Sequence, residues 1–408
     1  MNTIAIEDSF GLTTCNKQAI AIERGLGCQV WDEQGKRYLD FTSGWGVTAL
    51  GHSHPAIVTA LSEQASKLMQ NPNSGFTYSP VRSRLLMKMQ QVLPKGLKRV
   101  FFANSGAEAN DAAIKIARKV TGRSVVVAVS GSFHGRTLST LSVSGGPENA
   151  ARYLPKVPDN IFVARDDVHA LTQVFERYQV AAVIIEPVQG EGGVRTVSPH
   201  FFAKVSNLCR NNGALLIADE VQSGYCRTGS FFAVEKAGIS PDILTMGKGI
   251  AGGFPFAAFA VTDHVAKGVD NGDHGGTYCG NPLGCAVADA VLSYMLAHDV
   301  AKQVQESGQT LLRALNVLLK SFPELIMELR SAGLLIGLQL NSDEQVQRLT
   351  QICLENGLLV TPTRNAVLRI IPSLLITQQE INEGVSVLQQ SLAQLQNEQN
   401  FNVQARTA

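Results

Sequence analysis

Between residues 100 and 262 the chain alternates short, wholly apolar runs with longer stretches whose apolar positions recur every three to four residues. Runs at 100–103, Val125–Val129, Val180–Ile185, 214–218 and Ile243–Met246 have the length and character of strands buried on both faces. The stretches at 104–119 and 201–211 read as helices. The first opens on Ser105-Gly106, with acids in its first turns and bases at its end, as the helix dipole favours. This succession of strand, loop and helix predicts a mostly parallel sheet covered by helices.

The flanks read differently. Residues 29–41, QVWDEQGKRYLDF, alternate about a turn and predict a hairpin. A glycine-rich loop containing Trp45 follows, and then a helix from Pro55. Residues 275–296 are a glycine-rich loop opening into a long apolar helix. From about residue 297 the character changes. Helical patterns at 301–320, 343–356 and 378–396 flank the strand-like pieces 333–340 and 366–377, which predicts a smaller α+β domain. The Gln- and Asn-rich tail from residue 389 is expected to fray. The expected division is an N-terminal segment, 1–55, that joins the small domain, a large domain, 56–296, and a small C-terminal domain, 297–408.

Composition narrows the function without naming it. The 408 residues are 45% hydrophobic and 17% charged, enough for a large core. The net charge of +1 gives no electrostatic case for nucleic acid or an anionic membrane. No apolar run reaches the ~20 residues a membrane span needs. The seven cysteines are scattered, without CxxC, as in a reducing compartment, and no signal peptide is recognisable, so a cytoplasmic location is expected. His52 and His54 form a close pair, which a His-Pro turn explains as well as a metal does, and no metal site is expected.

The chemistry sits where the predicted strands end. Asp219 and Glu220 close the run at 214–218, and Lys248 follows the run at 243–246 between glycines. A lysine can hold an aldehyde cofactor as a Schiff base, and a buried carboxylate can keep the cofactor's pyridine nitrogen protonated. The turn at Ser105, Gly106 and Ala107 offers backbone N–H groups to an anion such as phosphate. Phe133, His134 and Arg136 follow one strand; Glu186 and Glu191 follow another. Phe133 is read either as a core aromatic or as a ring stacked on a flat cofactor, and Arg136 either as a surface ion pair or as a fork for a carboxylate. Arg369 lies inside a strand between apolar neighbours, which is costly unless it is paired.

These residues fall in motifs that together resemble the class III (subgroup II) pyridoxal-phosphate aminotransferases, and among them the acetylornithine and succinylornithine branch. The motifs are YLDF, LGHSHP, FFANSGAEANDAAIKIAR, FHGRTLST, EPVQGEGG, LLIADEVQSG, TMGKGIAGGFP and GGTYCGNP, and the resemblance runs from about residue 20 to 377. It implies an α/β fold of the pyridoxal-phosphate transferase fold type I, with a mostly parallel seven-stranded sheet and a smaller α+β domain. It also implies pyridoxal 5′-phosphate as cofactor and a homodimer with shared active sites.

By the resemblance, Lys248 holds the cofactor and moves the proton, and Asp219 faces the pyridine nitrogen. Gln222 lies near the phenolic oxygen and Phe133 stacks on the ring. Ser105, Gly106 and Ala107 bind the phosphate, with Thr277 reaching it from the neighbouring subunit. His134 and Glu186 line the cofactor site. Arg369 binds the α-carboxylate of glutamate or 2-oxoglutarate, Glu191 is its switch partner, and Arg136 takes the far carboxylate. Trp45 borders the substrate. The chain departs from the usual motifs at Tyr225, Cys226, Met246, Gly247 and Cys279, and has Trp45 where ornithine-type enzymes have tyrosine; several of these departures are expected near the substrate entrance. The implied reaction moves the terminal amine of an acetylornithine-like donor to 2-oxoglutarate by a ping-pong route. Other ω-aminotransferase activities, on 4-aminobutyrate, ornithine, a diamine or a specialised-metabolism substrate, share the same residues. A mutase or racemase would have no use for a Glu191–Arg369 switch.

Overall fold

The computed structural model describes residues 2–146 and 153–407. At its centre is a seven-stranded sheet, ordered Leu97–Ala103, Ala257–Thr262, Ile243–Met246, Leu215–Asp219, Val180–Ile185, Val125–Val129, Asn160–Val163. Neighbouring strands are parallel except at Ala257–Thr262, which runs antiparallel to both partners. Every residue of Val180–Ile185 is buried, as a sheet covered on both faces requires. The expected mostly parallel sheet is therefore present. The reversed strand was not foreseen, because an apolar run carries no mark of direction.

The helix Gly106–Thr121 shows how sequence sets an element's position. The Ser105 hydroxyl accepts from Glu108 N–H at the start, and Gly122 ends the helix at φ +66°. The buried stripe is mostly small: Ala109, Ala112, Ala113 and Ala117. Small side chains let this helix lie close against the sheet, with its N-terminus at the strand ends.

A second sheet, antiparallel, is ordered Ile326–Ala332, Leu335–Leu340, Val367–Ile370, Thr361–Thr363, with the helices Val300–Ser321 and Asp343–Glu355 beside it and Gln378–Thr407 packed on those two helices. A third contains the expected hairpin, Gln29–Asp32 with Arg37–Asp40, flanked by Ile22–Leu26 and, in parallel, by Leu358–Leu359 from the C-terminal part. These two flanking strands were not foreseen; Leu358–Leu359 is too short to show a pattern.

The tail does not fray as expected: its helix runs through to Thr407. Leu388, Leu392 and Leu395 recur at helical spacing and are buried, and Glu398 binds Arg348 through both oxygens at 2.7 and 2.8 Å. The polar composition that suggested fraying belongs to the outward face of this helix. The C-terminal part is tied to the rest beside the strand bearing Arg369. Ile371 N–H donates to Phe41 O at 2.8 Å, Leu374 N–H to Ala49 O at 2.8 Å, and the buried Arg227 guanidinium donates to Leu334 O and Pro372 O.

Candidate active site

The parallel strands deliver their following residues to one side of the sheet. Ser105 comes after Leu97–Ala103, Phe133 to Arg136 after Val125–Val129, Glu186 after Val180–Ile185, Asp219 closes Leu215–Asp219, and Lys248 follows Ile243–Met246. Ligands of open α/β sheets bind at this edge. Here it holds a cavity of ≈ 240 Å³ whose walls include Gly106, Ala107, Phe133, His134, Arg136, Glu186, Glu191, Asp219, Gln222 and Lys248. A larger cavity, ≈ 670 Å³, opens at the sheet edge by Arg99 and Phe259, and none of those ten residues lines it.

Asp219 is held by three partners. Its Oδ2 accepts from Asn110 Nδ2 at 2.7 Å and lies 2.7 Å from His134 Nδ1, and its Oδ1 accepts from Val221 N–H at 3.0 Å. Asn110 is held in turn by Thr245, whose hydroxyl donates to Asn110 Oδ1 at 2.6 Å. Asp219, His134, Asn110 and Thr245 are all buried, and His134 Nε2 has no hydrogen-bond partner among the described residues. The sequence reading missed Asn110 and Thr245. The available signal was a polar residue in helical phase with the buried Ala113 and Ala117.

Lys248 occupies the left-handed region, φ +46°, at the start of a tight turn after Gly247. A non-glycine residue held there carries strain, which the surrounding packing maintains. Burial pulls its pKa down to about 8; Glu191 opposes that shift, Arg369 adds to it, and Glu186 and Asp219 oppose it. Glu186 moves the other way: burial, and then the neighbouring Asp219, push its carboxyl well above the usual range. Its Oε1 accepts from Phe133 N–H at 2.7 Å and so fixes the start of the Phe133 loop. The Arg136 guanidinium lies over the Phe133 ring, 5.2 Å from its centre.

On the facing side, the wholly buried Arg369 makes an ion pair with Glu191, and its Nη1 also donates to Gln222 Oε1 at 3.3 Å. Burial alone would raise the Glu191 carboxyl, but the charges of Arg369 and Lys248 outweigh it and hold it below its ordinary value. Arg369 Nε and Nη2 have no hydrogen-bond partner among the described residues. Gln222 Nε2 donates to Trp45 O at 3.4 Å. Trp45 thus meets the site through its carbonyl; its indole is exposed and does not line the cavity. Thr277 lies in an exposed loop, where its carbonyl accepts from Ser74 Oγ at 2.7 Å, and it is not part of its own chain's cavity.

Residues 13–392 match the model of the family described as aminotransferase class-III. The chain belongs to this family. It is 41% identical to the acetylornithine aminotransferase of Vibrio cholerae serotype O1, over 91% of this chain and 93% of that protein. It is 39% identical to the acetylornithine/succinyldiaminopimelate aminotransferase of Yersinia pestis, over 91% and 92%. The ornithine aminotransferase structure from Toxoplasma gondii superposes with a TM-score of 0.91 at 32% identity, covering 97% of this chain and 95% of that one. The protein is accordingly a pyridoxal-phosphate-dependent transaminase of fold type I.

The residues present fit that cofactor. A Cβ on Gly106 would lie 2.6 Å from Val221 Cγ1, so only glycine leaves the helix N-terminus open to a phosphate there. The orphaned His134 and Arg369 nitrogens and the fixed Asp219 carboxylate suit a polar, partly anionic ligand with a protonated ring nitrogen.

Proposed function

We propose that the protein transfers the terminal amine of an acetylornithine-like donor to 2-oxoglutarate in two half-reactions that use one cavity. The observation that carries this reading is the Glu191–Arg369 pair. A buried guanidinium left without an anion costs several kcal/mol. Arg369 therefore needs Glu191 when the donor brings no carboxylate close to the reacting carbon, and can exchange it for the α-carboxylate of glutamate or 2-oxoglutarate. Arg136, exposed at the cavity wall, would take the far carboxylate in both half-reactions. The acyl-ornithine relatives support the choice of donor.

The cofactor, when bound, supplies an electron sink that acidifies the C–H bond beside the amine. The chain's residues do the rest. Lys248, with its pKa near 8, is in part a neutral amine at physiological pH and would hold the cofactor and then carry the proton at Nζ. Asp219, aligned by Asn110 and His134, would face the protonated ring nitrogen. Ser105, Gly106 and Ala107 would hold the phosphate, Phe133 would cover one ring face, and Gln222 would sit beside the phenolic oxygen.

The proposal includes a homodimer. Phe76 and Tyr78 are almost fully exposed beside the loop that carries Thr277 and the exposed Tyr278, and Ser74 bonds that loop. A second copy would cover these side chains and receive Thr277 at its phosphate site. It also includes a division of the chain near residues 55 and 296, and a cytoplasmic location, supported by seven free thiols. Among the described residues no single helix is long and apolar enough to cross a membrane.

The test is a half-reaction screen. Purified holoenzyme is mixed in turn with glutamate, acetylornithine, succinylornithine, ornithine, 4-aminobutyrate and putrescine, and loss of the cofactor's visible absorbance is followed. Fast conversion by the acylated ornithines and by glutamate is expected. Conversion by glutamate but by none of the ornithines would remove the donor from the proposal.

A further inference from the structure

Beyond the reacting cavity lies a second chamber, ≈ 550 Å³, which shares Phe133 and Arg136 with it. Leu138 and Leu141 give it an apolar lining, and Ser144, Tyr153 and Arg364 complete its wall. Leu138 and Tyr153 are each about half exposed, so the chamber presents uncovered apolar surface. Two guanidinium groups line it, and no acid does so among the described residues.

Arg364 is placed there by a costly turn. It is the first residue of the loop 364–366 between the strands Thr361–Thr363 and Val367–Ile370, so one hairpin carries both Arg364 and Arg369. Asn365 and Ala366 are both left-handed, at φ +61° and +55°, without being glycine. Four bonds hold them: Ala366 N–H to Asp343 Oδ1 at 2.7 Å, Leu340 N–H to Ala366 O at 2.8 Å, Gln339 Nε2 to Asn365 O at 3.2 Å, and Asn365 Nδ2 to Gly192 O at 3.5 Å. Gly192 adjoins Glu191, so the turn contacts the segment that carries the acid of the pair.

We propose that this chamber receives the acyl group of the donor, and that Arg364 selects acyl groups ending in a carboxylate. The inference rests on the donor reading above and deepens it. In an N-acylated ornithine the α-carboxylate occupies Arg136, and the acyl chain extends past it over Leu138 and Leu141. An acetyl group leaves most of the chamber empty and brings no charge. A dicarboxylic acyl group covers the apolar lining and brings its second carboxylate to Arg364. Arg364 already has a contact of its own, so the carboxylate enters by exchange.

The experiment compares two donors that differ only in the acyl group, N-acetylornithine and N-succinylornithine, on the holoenzyme and its R364Q and R364K variants. Half-reaction kcat/KM is measured for each, with glutamate as the reference for intact folding and cofactor binding. The wild type is expected to favour the succinyl donor by about tenfold, as a charge-assisted pair allows. R364Q should remove that preference through KM, and R364K should restore part of it. Equal kcat/KM for the two donors in the wild type, or an equal loss on both in R364Q, overturns the assignment of the chamber while leaving the proposed reaction standing. Failure of both acyl donors beside an active glutamate half-reaction would instead refute the donor reading, and the chamber's role with it.

Discussion

His134 Nδ1 lies 2.7 Å from Asp219 Oδ2 inside the sheet edge, and the same oxygen accepts from Asn110. Two buried side chains, one from a loop and one from a helix, thus aim the carboxylate at the strand end. Asp219→Asn keeps the shape and removes the charge. Turnover should fall by about 10²–10³-fold, the usual cost of losing a charge placed for the transition state. Cofactor content, read by absorbance, should fall less than turnover. Turnover within a few-fold of wild type would show that Asp219 does not face the reacting system.

Asn110→Ala tests the support behind that carboxylate. Asn110 bonds Asp219, His134 O and Thr245. Truncation leaves buried polar groups unpaired, at about 1–3 kcal/mol each. Chemical denaturation should register a loss in that range, together with weaker cofactor retention. An unchanged denaturation midpoint would mean that water replaces the amide.

How much of this was legible in the sequence depends on how local each signal is. The strands Val125–Val129, Val180–Ile185 and Ile243–Met246 match their apolar runs to the residue, because burial on both faces writes itself into consecutive positions. Asp219, Lys248, Glu186 and Phe133 were found because each closes or closely follows an apolar run. Asn110 hides within a helix, where only its phase marks it. The partner of Arg369 could be named only through the motif resemblance, since Glu191 lies on a different element, 178 residues away. The tail helix was misjudged because composition weighs all faces equally, whereas Leu388, Leu392 and Leu395 decide its fate.

Lys248 gives a pH signature. Its folded pKa of about 8 lies below its ordinary value of 10.5. Between those values the unfolded chain binds more protons, so the cofactor-free protein should gain stability as pH rises from about 8 toward 10.5. The gain should be absent in Lys248→Met. Cofactor uptake needs the neutral amine and should rise through pH about 8. Glu191→Ala should shift that midpoint down and Arg369→Met should shift it up, following their opposite influences on the lysine. Coincident midpoints in all three proteins would contradict this electrostatic arrangement.

Gly106→Ala tests the phosphate cradle. The added methyl would lie 2.6 Å from Val221 Cγ1, so the helix N-terminus and Val221 must separate. Affinity for pyridoxal phosphate should fall by about tenfold, as a charge-assisted contact at a helix N-terminus allows. An equal affinity for pyridoxal phosphate in the variant and the wild type would place the phosphate elsewhere.

The central claim is that one cavity serves two kinds of substrate because Glu191 and Arg369 pair and separate. The most direct measurement is the ratio of half-reaction kcat/KM for glutamate to that for acetylornithine, in wild type and Glu191→Ala. With Glu191 gone, Arg369 is open to an α-carboxylate throughout and stays uncompensated when acetylornithine binds. The ratio should therefore shift toward glutamate by about tenfold or more, corresponding to a penalty of at least 1.4 kcal/mol. An unchanged ratio would contradict the claim.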